Sequence, residues 1–164
     1  MVYLYCNQYK IKMITKIATH SIFKTEGRKF MDNEKILSVF REKKLRATPQ
    51  RIAVYRFLCE NRVHPSAGEV YDAVRQDNPS FSRTTVYNAL SSLIGSGLVV
   101  PLLADESRVR YDADTSFHGH FFCTKCKRVY DFHAGEQDFA DLAGFEIQMK
   151  DLSCSGICAA CRQK

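Results

Sequence analysis

The chain has 164 residues, 45% of them apolar. That suits one ordinary soluble domain or two small ones, and no run is long and apolar enough to span a membrane. The formal net charge of +6 is uneven: residues 1–30 carry six Lys/Arg against one Glu, residues 31–103 sum to +3 and residues 104–164 to −2, so the basic charge lies in the first half, where a nucleic-acid surface would be useful. Seven cysteines do not fit a secreted disulfide scaffold, because the number is odd, no signal peptide is evident and four of them form two Cys-x-x-Cys pairs; zinc in a reducing, cytoplasmic setting explains more.

Residues 1–30 mix apolar and basic side chains without a sustained period or a clear cap. A start placed upstream of Met31, a basic arm for DNA and a disordered extension all remain open. From Glu34, Ile36, Leu37 and Phe40 recur at helical spacing and end near Lys44 and Leu45. Thr48 as N-cap and Pro49 in the first turn predict a second helix with Ile52, Tyr55, Phe57 and Leu58 on its apolar side. Cys59 within it reads as a small buried hydrophobe. Ser66 and Glu69 form a capping box opening a third helix over Val70, Tyr71 and Val74. A turn at Asp77–Ser80 follows. The fourth helix has Ser82 as N-cap, buries Val86, Leu90, Leu93 and Ile94, and stops at Gly95–Gly97.

Two short helices joined by a turn, with Arg83, Thr84, Tyr87, Asn88 and Ser91 opposite the apolar stripe, suggest helix-turn-helix DNA binding. A plain four-helix core is the alternative. Leu98–Leu103 and Arg108–Tyr111, separated by a turn, supply a two-stranded wing and favour the winged helix. Beyond Asp112, strands are predicted entering and leaving the first cysteine pair, then a short helix over Glu136–Leu142. Phe145, Ile147 and Met149 alternate with Glu146, Gln148 and Lys150, as in a strand with one covered face.

Cys123, Cys126, Cys158 and Cys161 can fill the tetrahedral sphere of a structural Zn(II). A thioredoxin-like redox pair would leave the second Cys-x-x-Cys unexplained. Cys154 is either a spare thiol or a redox-active one. His118 and His120, two apart in an extended segment, share a face. By themselves they read as surface histidines, and only convergence with Asp112, Asp131 and His64 makes them a second metal site. The chain lacks a His-Glu-x-x-His, and no His-x-Glu precedes a Cys-x-x-Cys, so a zinc enzyme is not expected.

The array Thr48-Pro49-Gln50-Arg51, His64-Pro65-Ser66-Ala67 with Val70-Tyr71, Ser82 with Thr85-Val86-Tyr87 and Leu90, Gly97 with Val99, His118-x-His120, and the two cysteine pairs resembles the ferric uptake regulator (Fur) superfamily over about residues 34–162. The resemblance implies an α+β protein with a winged-helix DNA-binding domain (31–111) followed by a small α/β dimerisation domain (112–164) built on the four-cysteine zinc site. It also implies a regulatory Fe(II) or Mn(II) held by His64, Asp112, His118, His120 and Asp131. Aspartate at 131 resembles the peroxide-sensing (PerR-like) branch, which implies that hydrogen peroxide reacting at bound Fe(II) oxidises a ligand histidine, His64 or His118. The expectation is a homodimeric, cytoplasmic repressor that binds a pseudo-palindromic operator and senses hydrogen peroxide; iron-responsive repression of uptake genes is the alternative.

For DNA, Tyr87 is placed to meet a thymine methyl, Arg83, Thr84 and Asn88 to reach phosphate or base edges, and Arg46 to enter a minor groove. Two departures accompany the resemblance. Phe117, Gly119 and Met149 or Lys150 stand where some iron regulators build an additional metal site, which is therefore expected to be absent. Asn88 stands where the family commonly has arginine.

Overall fold

The computed structural model describes residues 31–105, 108–135, 140–148 and 150–163. The extension and most of the Glu136–Leu142 helix predicted from sequence lie outside the described residues. Four helices come first: α1 (Asn33–Glu42), α2 (Pro49–Glu60), α3 (Ala67–Asp77) and α4 (Arg83–Gly95). Their starts follow the sequence signals. Thr48 Oγ1 accepts from the Arg51 N–H, Ser66 and Glu69 complete the capping box, with Glu69 Oε2 accepting from the Ser66 N–H at 2.7 Å, and Ser82 Oγ accepts from the Thr85 N–H. Each cap satisfies an amide that the first helical turn leaves without a partner. Gly97, at φ 69, ends α4 in the left-handed region.

The helices bury one continuous core. Ile36 and Phe40 of α1, Val54 and Leu58 of α2, Val70 and Val74 of α3, and Val86, Leu90 and Leu93 of α4 close on one another, with Leu98 and Val99 beneath them. Full burial of each such side chain stabilises the fold by roughly 1.5–3 kcal/mol. Cys59 is half-buried and packs against this core, in hydrogen-bonding contact with Tyr55.

Next come β1 (Val100–Asp105) and β2 (Arg108–Asp112), an antiparallel wing in which Val100 faces Asp112 and Pro101 faces Tyr111. The wing lies against the connection between α2 and α3: the Tyr111 N–H donates to the Pro65 carbonyl at 3.0 Å and Ser66 bridges to Arg110. That contact brings His64 close to Asp112, the last residue of β2.

The second half is a three-stranded sheet in the order β4-β3-β5, where β3 is Gly119–Cys123, β4 Val129–Phe132 and β5 Leu152–Gly156. β3 and β4 are antiparallel, and β3 and β5 parallel. Helix α5 (Ala159–Arg162) closes the described chain. One expectation is corrected here. Residues 145–148 and 150 are not a strand; the third strand begins at Leu152, because the partner offered by β3 pairs with Leu152–Gly156. Phe145 is 69% and Ile147 41% exposed, so among the described residues the alternation seen in the sequence has no covered face. Of the predicted helix, the described part is one 3₁₀ turn, Ala140–Leu142.

Candidate metal centres and nucleic-acid interface

His64, Asp112, His118, His120 and Asp131 come together, one donor atom from each lying within 4.8 Å of all the others. Their origins differ. His64 comes from the α2–α3 connection, Asp112 from the end of the wing, His118 from the segment before β3, and His120 and Asp131 face each other across the β3–β4 ladder. Asp112 Oδ2 is the hub, 3.4 Å from His64 Nε2, 3.1 Å from His118 Nε2 and 3.4 Å from His120 Nε2. On the other side, Asp131 Oδ1 stands 2.9 Å from His64 Nε2. His64, Asp112 and His120 are buried, whereas the Asp131 side chain is 37% exposed and forms the open side.

The donor atoms fit a cation. His64 Nε2 and His118 Nε2 are buried and crowd the Asp112 and Asp131 carboxylates without the geometry of good hydrogen bonds, an arrangement of nitrogen and oxygen donors turned on one point that a shared cation would satisfy. Three imidazoles and two carboxylates suit Fe(II) or Mn(II) better than a soft ion. Electrostatics agree: burial opposes an imidazolium at His64, yet the facing Asp112 and Asp131 carboxylates outweigh it and raise its pKa from 6.5 to about 9. Burial likewise opposes the Asp112 carboxylate, but His64 and the Asp114 N–H hold its pKa down to about 2. A negative charge is thus maintained at Asp112, where a divalent ion would sit.

The backbone presents these ligands with some strain. His64 has φ 48, in the left-handed region that a non-glycine residue rarely enters. Its carbonyl accepts from Arg110 Nη1 at 3.0 Å, and the same guanidinium reaches Glu69 Oε2 at 3.1 Å and the Lys127 carbonyl at 3.4 Å. His118 Nδ1 meets the Ser116 carbonyl at 2.8 Å; since a carbonyl only accepts, the proton is on Nδ1 and the Nε2 lone pair faces the centre. Gly119 lies opposite Phe132, whose ring occupies the space that a Cβ at 119 would need.

The four sulfurs of Cys123, Cys126, Cys158 and Cys161 form the second cluster. Cys126 Sγ and Cys158 Sγ are 3.8 Å apart, close to the ~3.8 Å edge of a tetrahedron with metal–sulfur bonds of about 2.3 Å. The knuckle after Cys123 turns through Lys127 at φ 61. Backbone N–H groups of Cys126 and Cys158 donate to Cys123 Sγ at 3.5 and 3.3 Å, which brings the Cys123 thiol down to about 6. The Tyr130 hydroxyl, donating to Cys158 Sγ, lowers that thiol from its ordinary value, whereas burial and the neighbouring sulfurs push Cys161 up to about 12. A divalent cation would resolve this conflict by stabilising all four as thiolates. Cys154 lies outside the cluster, exposed on β5.

Helix α4 turns Arg83, Thr84, Tyr87, Asn88 and Ser91 to solvent, with Tyr87 52% exposed. The Arg83 guanidinium lies 4.8 Å from the centre of the Tyr71 ring. Arg46 is exposed, and its carbonyl accepts from Arg51 Nη1 at 2.8 Å, while Arg51 Nη2 donates to Ser92 of α4 at 3.0 Å. The residues singled out in sequence therefore fall on one exposed helix and its flank. Sequence reasoning missed Arg110, Asp114, Ser116 and Arg62, which hold the ligands rather than supply them. The only local signal was the Asp112-x-Asp114-x-Ser116 spacing, which suits side chains accepting from backbone two residues on.

A winged helix joined to a small sheet, with one sulfur cluster and one nitrogen–oxygen cluster, is the architecture of a metal-binding regulatory protein. The ferric uptake regulator family model matches residues 42–154, and the chain belongs to that family. A peroxide operon regulator from Bacillus subtilis (strain 168) is 35% identical over 133 residues, 78% of this chain and 92% of the relative. Among solved structures, the Helicobacter pylori ferric uptake regulator Fur has a TM-score of 0.66 at 21% identity, covering 80% of this chain and 91% of that one, a likeness of fold. The Campylobacter jejuni peroxide stress regulator has a TM-score of 0.59 at 26% identity, covering 80% and 100%.

Proposed function

We propose that the protein is a homodimeric, cytoplasmic transcriptional repressor whose grip on DNA is set by Fe(II) or Mn(II) at the five-donor centre and released by hydrogen peroxide. The observation that carries this reading is the origin of the ligands: His64 belongs to the helical half and His118, His120 and Asp131 to the other, so an ion there favours one angle between them. On this reading residues 31–111 are the DNA-binding unit and residues 112–164 the dimerisation and metal unit. A dimer with one preferred angle presents two α4 helices to successive major grooves of a pseudo-palindromic operator. Tyr87, Arg83, Thr84 and Asn88 make the contacts there, and Arg46 approaches the adjacent minor groove.

The exposed Leu142, Phe145 and Ile147 support a second copy as the partner that covers them. The four cysteines hold structural Zn(II), leaving no open position for chemistry. An Fe(II) held by these donors would activate hydrogen peroxide, which Mn(II) would not. One imidazole, His64 or His118, would then gain one oxygen atom on a ring carbon, with hydrogen peroxide as the two-electron oxidant and water as its product; that ring would no longer serve in the donor set, and the two halves would come apart. The peroxide-linked names of the Bacillus subtilis and Campylobacter jejuni relatives and the aspartate at 131 support this over iron sensing.

The test is DNA binding by anaerobically purified protein loaded with Fe(II) or Mn(II), before and after a brief low dose of peroxide at one fixed salt concentration. Release of the Fe(II) form alone, with one oxygen gained on His64 or His118 by mass spectrometry, is the expected result. Retention of both forms, with release on chelation only, would instead make the protein an iron-availability repressor.

A further inference from the structure

Asp114 has its backbone N–H and both carboxylate oxygens engaged, although it is not among the five clustered donors. Its backbone N–H donates to Asp112 Oδ1 at 2.8 Å, which turns Oδ2, the oxygen facing all three imidazoles, towards the centre. Asp114 Oδ1 accepts from the Ser116 N–H at 3.1 Å and from the Ser116 hydroxyl. The Ser116 carbonyl in turn accepts from His118 Nδ1. One side chain thus closes the turn that aims two of the five donors.

The remaining oxygen, Asp114 Oδ2, accepts from Arg62 Nη1 at 3.1 Å. Arg62 belongs to the same connection as His64, two residues earlier. We infer that Asp114 is a positioning residue for the five-donor centre, and that its pair with Arg62 couples the turn bearing Asp112 and His118 to the loop bearing His64. The coupling half of this inference rests on the metal-gated DNA binding proposed above.

The Arg62 side chain is 70% exposed, so the ion pair adds little to folding stability. Its effect is geometric, since it forms only when the two halves take the angle that also brings His64 to Asp112. The two carboxylate oxygens therefore separate by role: Oδ1 shapes the ligand turn and Oδ2 reports the position of the helical half. Partners of this kind around a metal centre typically govern affinity 10–100-fold.

The experiment uses full-length, zinc-loaded protein and Mn(II) as the probe, measuring Mn(II) affinity without DNA and DNA affinity with and without saturating Mn(II). Asp114→Ala is expected to weaken Mn(II) binding by about 10–100-fold while zinc content stays at the wild-type level. Ser116→Ala, a milder change that removes only the hydroxyl donor, is expected to weaken it about fivefold, the worth of one ordinary hydrogen bond. Wild-type Mn(II) affinity in both variants would overturn the positioning role. Asp114→Asn keeps an oxygen for Ser116 but not the charge for Arg62. It and Arg62→Ala are expected to weaken Mn(II) binding only a few-fold, less than Asp114→Ala, and to lose several-fold of the DNA affinity that Mn(II) confers, and the double variant should lose no more than either alone. An undiminished Mn(II) effect on DNA in Arg62→Ala, or additive losses in the double variant, would overturn the coupling. Wild-type protein whose DNA affinity ignores Mn(II) would sink the proposed function and with it the coupling, while the Mn(II) affinities of Asp114→Ala and Ser116→Ala would still decide the positioning role.

Discussion

Arg110 Nη1 holds the carbonyl of His64 at 3.0 Å, so a residue of the wing fixes the candidate ligand that comes from the α2–α3 connection. The side chain is only 13% exposed and reaches three acceptors. Arg110→Ala should lower unfolding stability by about 1.5–3 kcal/mol, as expected for hydrogen bonds to a charged donor, and reduce the DNA affinity conferred by Mn(II). Arg110→Lys should recover little of either, because an ammonium lacks the planar fork that serves acceptors in different directions. Thermal unfolding and operator titration with and without Mn(II) check both.

Asp131 forms the exposed side of the centre, with Oδ1 against His64 Nε2. Adding one methylene with Asp131→Glu should preserve Mn(II)-dependent DNA binding but blunt the release of the Fe(II) form by peroxide. Unchanged peroxide sensitivity in that variant would remove the reason for attaching weight to the aspartate.

Cys123 Sγ accepts from two backbone amides, one from each knuckle, and so ties the end of β3 to the approach of α5. Cys123→Ser should lose zinc outright, because structural zinc supplies about 10–16 kcal/mol that the small sheet has no other means to replace. Metal analysis and sedimentation should show zinc-free protein that no longer dimerises. A stable zinc-free dimer would count against the structural role.

The raised pKa of His64 makes binding at the five-donor centre pH-dependent. Below about 9 the metal-free imidazole keeps a proton that an ion must displace, so Mn(II) affinity should fall as pH falls from 8 to 6, with proton release visible by calorimetry in buffers of different ionisation enthalpy. In metal-free protein the same pair stabilises the fold fully below 6.5, and that contribution is lost as pH rises through about 9. Asp112 acts at the other end: its contribution is present above 3.8 and lost as pH falls towards about 2.

Arg83 lies over the Tyr71 ring, which holds its charge at the start of α4. Arg83→Ala should weaken binding to all DNA sequences alike and reduce the slope of log affinity against log salt by about one. Asn88→Ala should instead change which operators are preferred.

The helical half was legible because its signals are local. Thr48, Ser66 with Glu69, and Ser82 each announce a helix start within four residues, and each cap forms. The candidate ligands were named through family resemblance, but spacing alone could not give the convergence the structure shows, because His64 meets Asp131 only through the docking of wing, loop and sheet. The Phe145–Lys150 alternation misled for a related reason. Period-two patterning records a covered face without saying which molecule covers it, and within this chain β3 pairs with Leu152–Gly156 instead. Arg110, Asp114 and Ser116 stayed hidden because supporting a ligand leaves no motif of its own.

His64 at φ 48, immediately before Pro65, carries a consequence for how the protein lets go. A non-glycine residue in that region costs about 1–3 kcal/mol, so the loop keeps its shape only while its ring and its carbonyl are both held. Once the ring is no longer held, relaxation of a single residue draws it away from Asp112 and Asp131, and nothing need push the halves apart. On the proposed reading, an oxygen added to that ring also blocks the way back, so each molecule answers once and the return of repression waits on newly made chains.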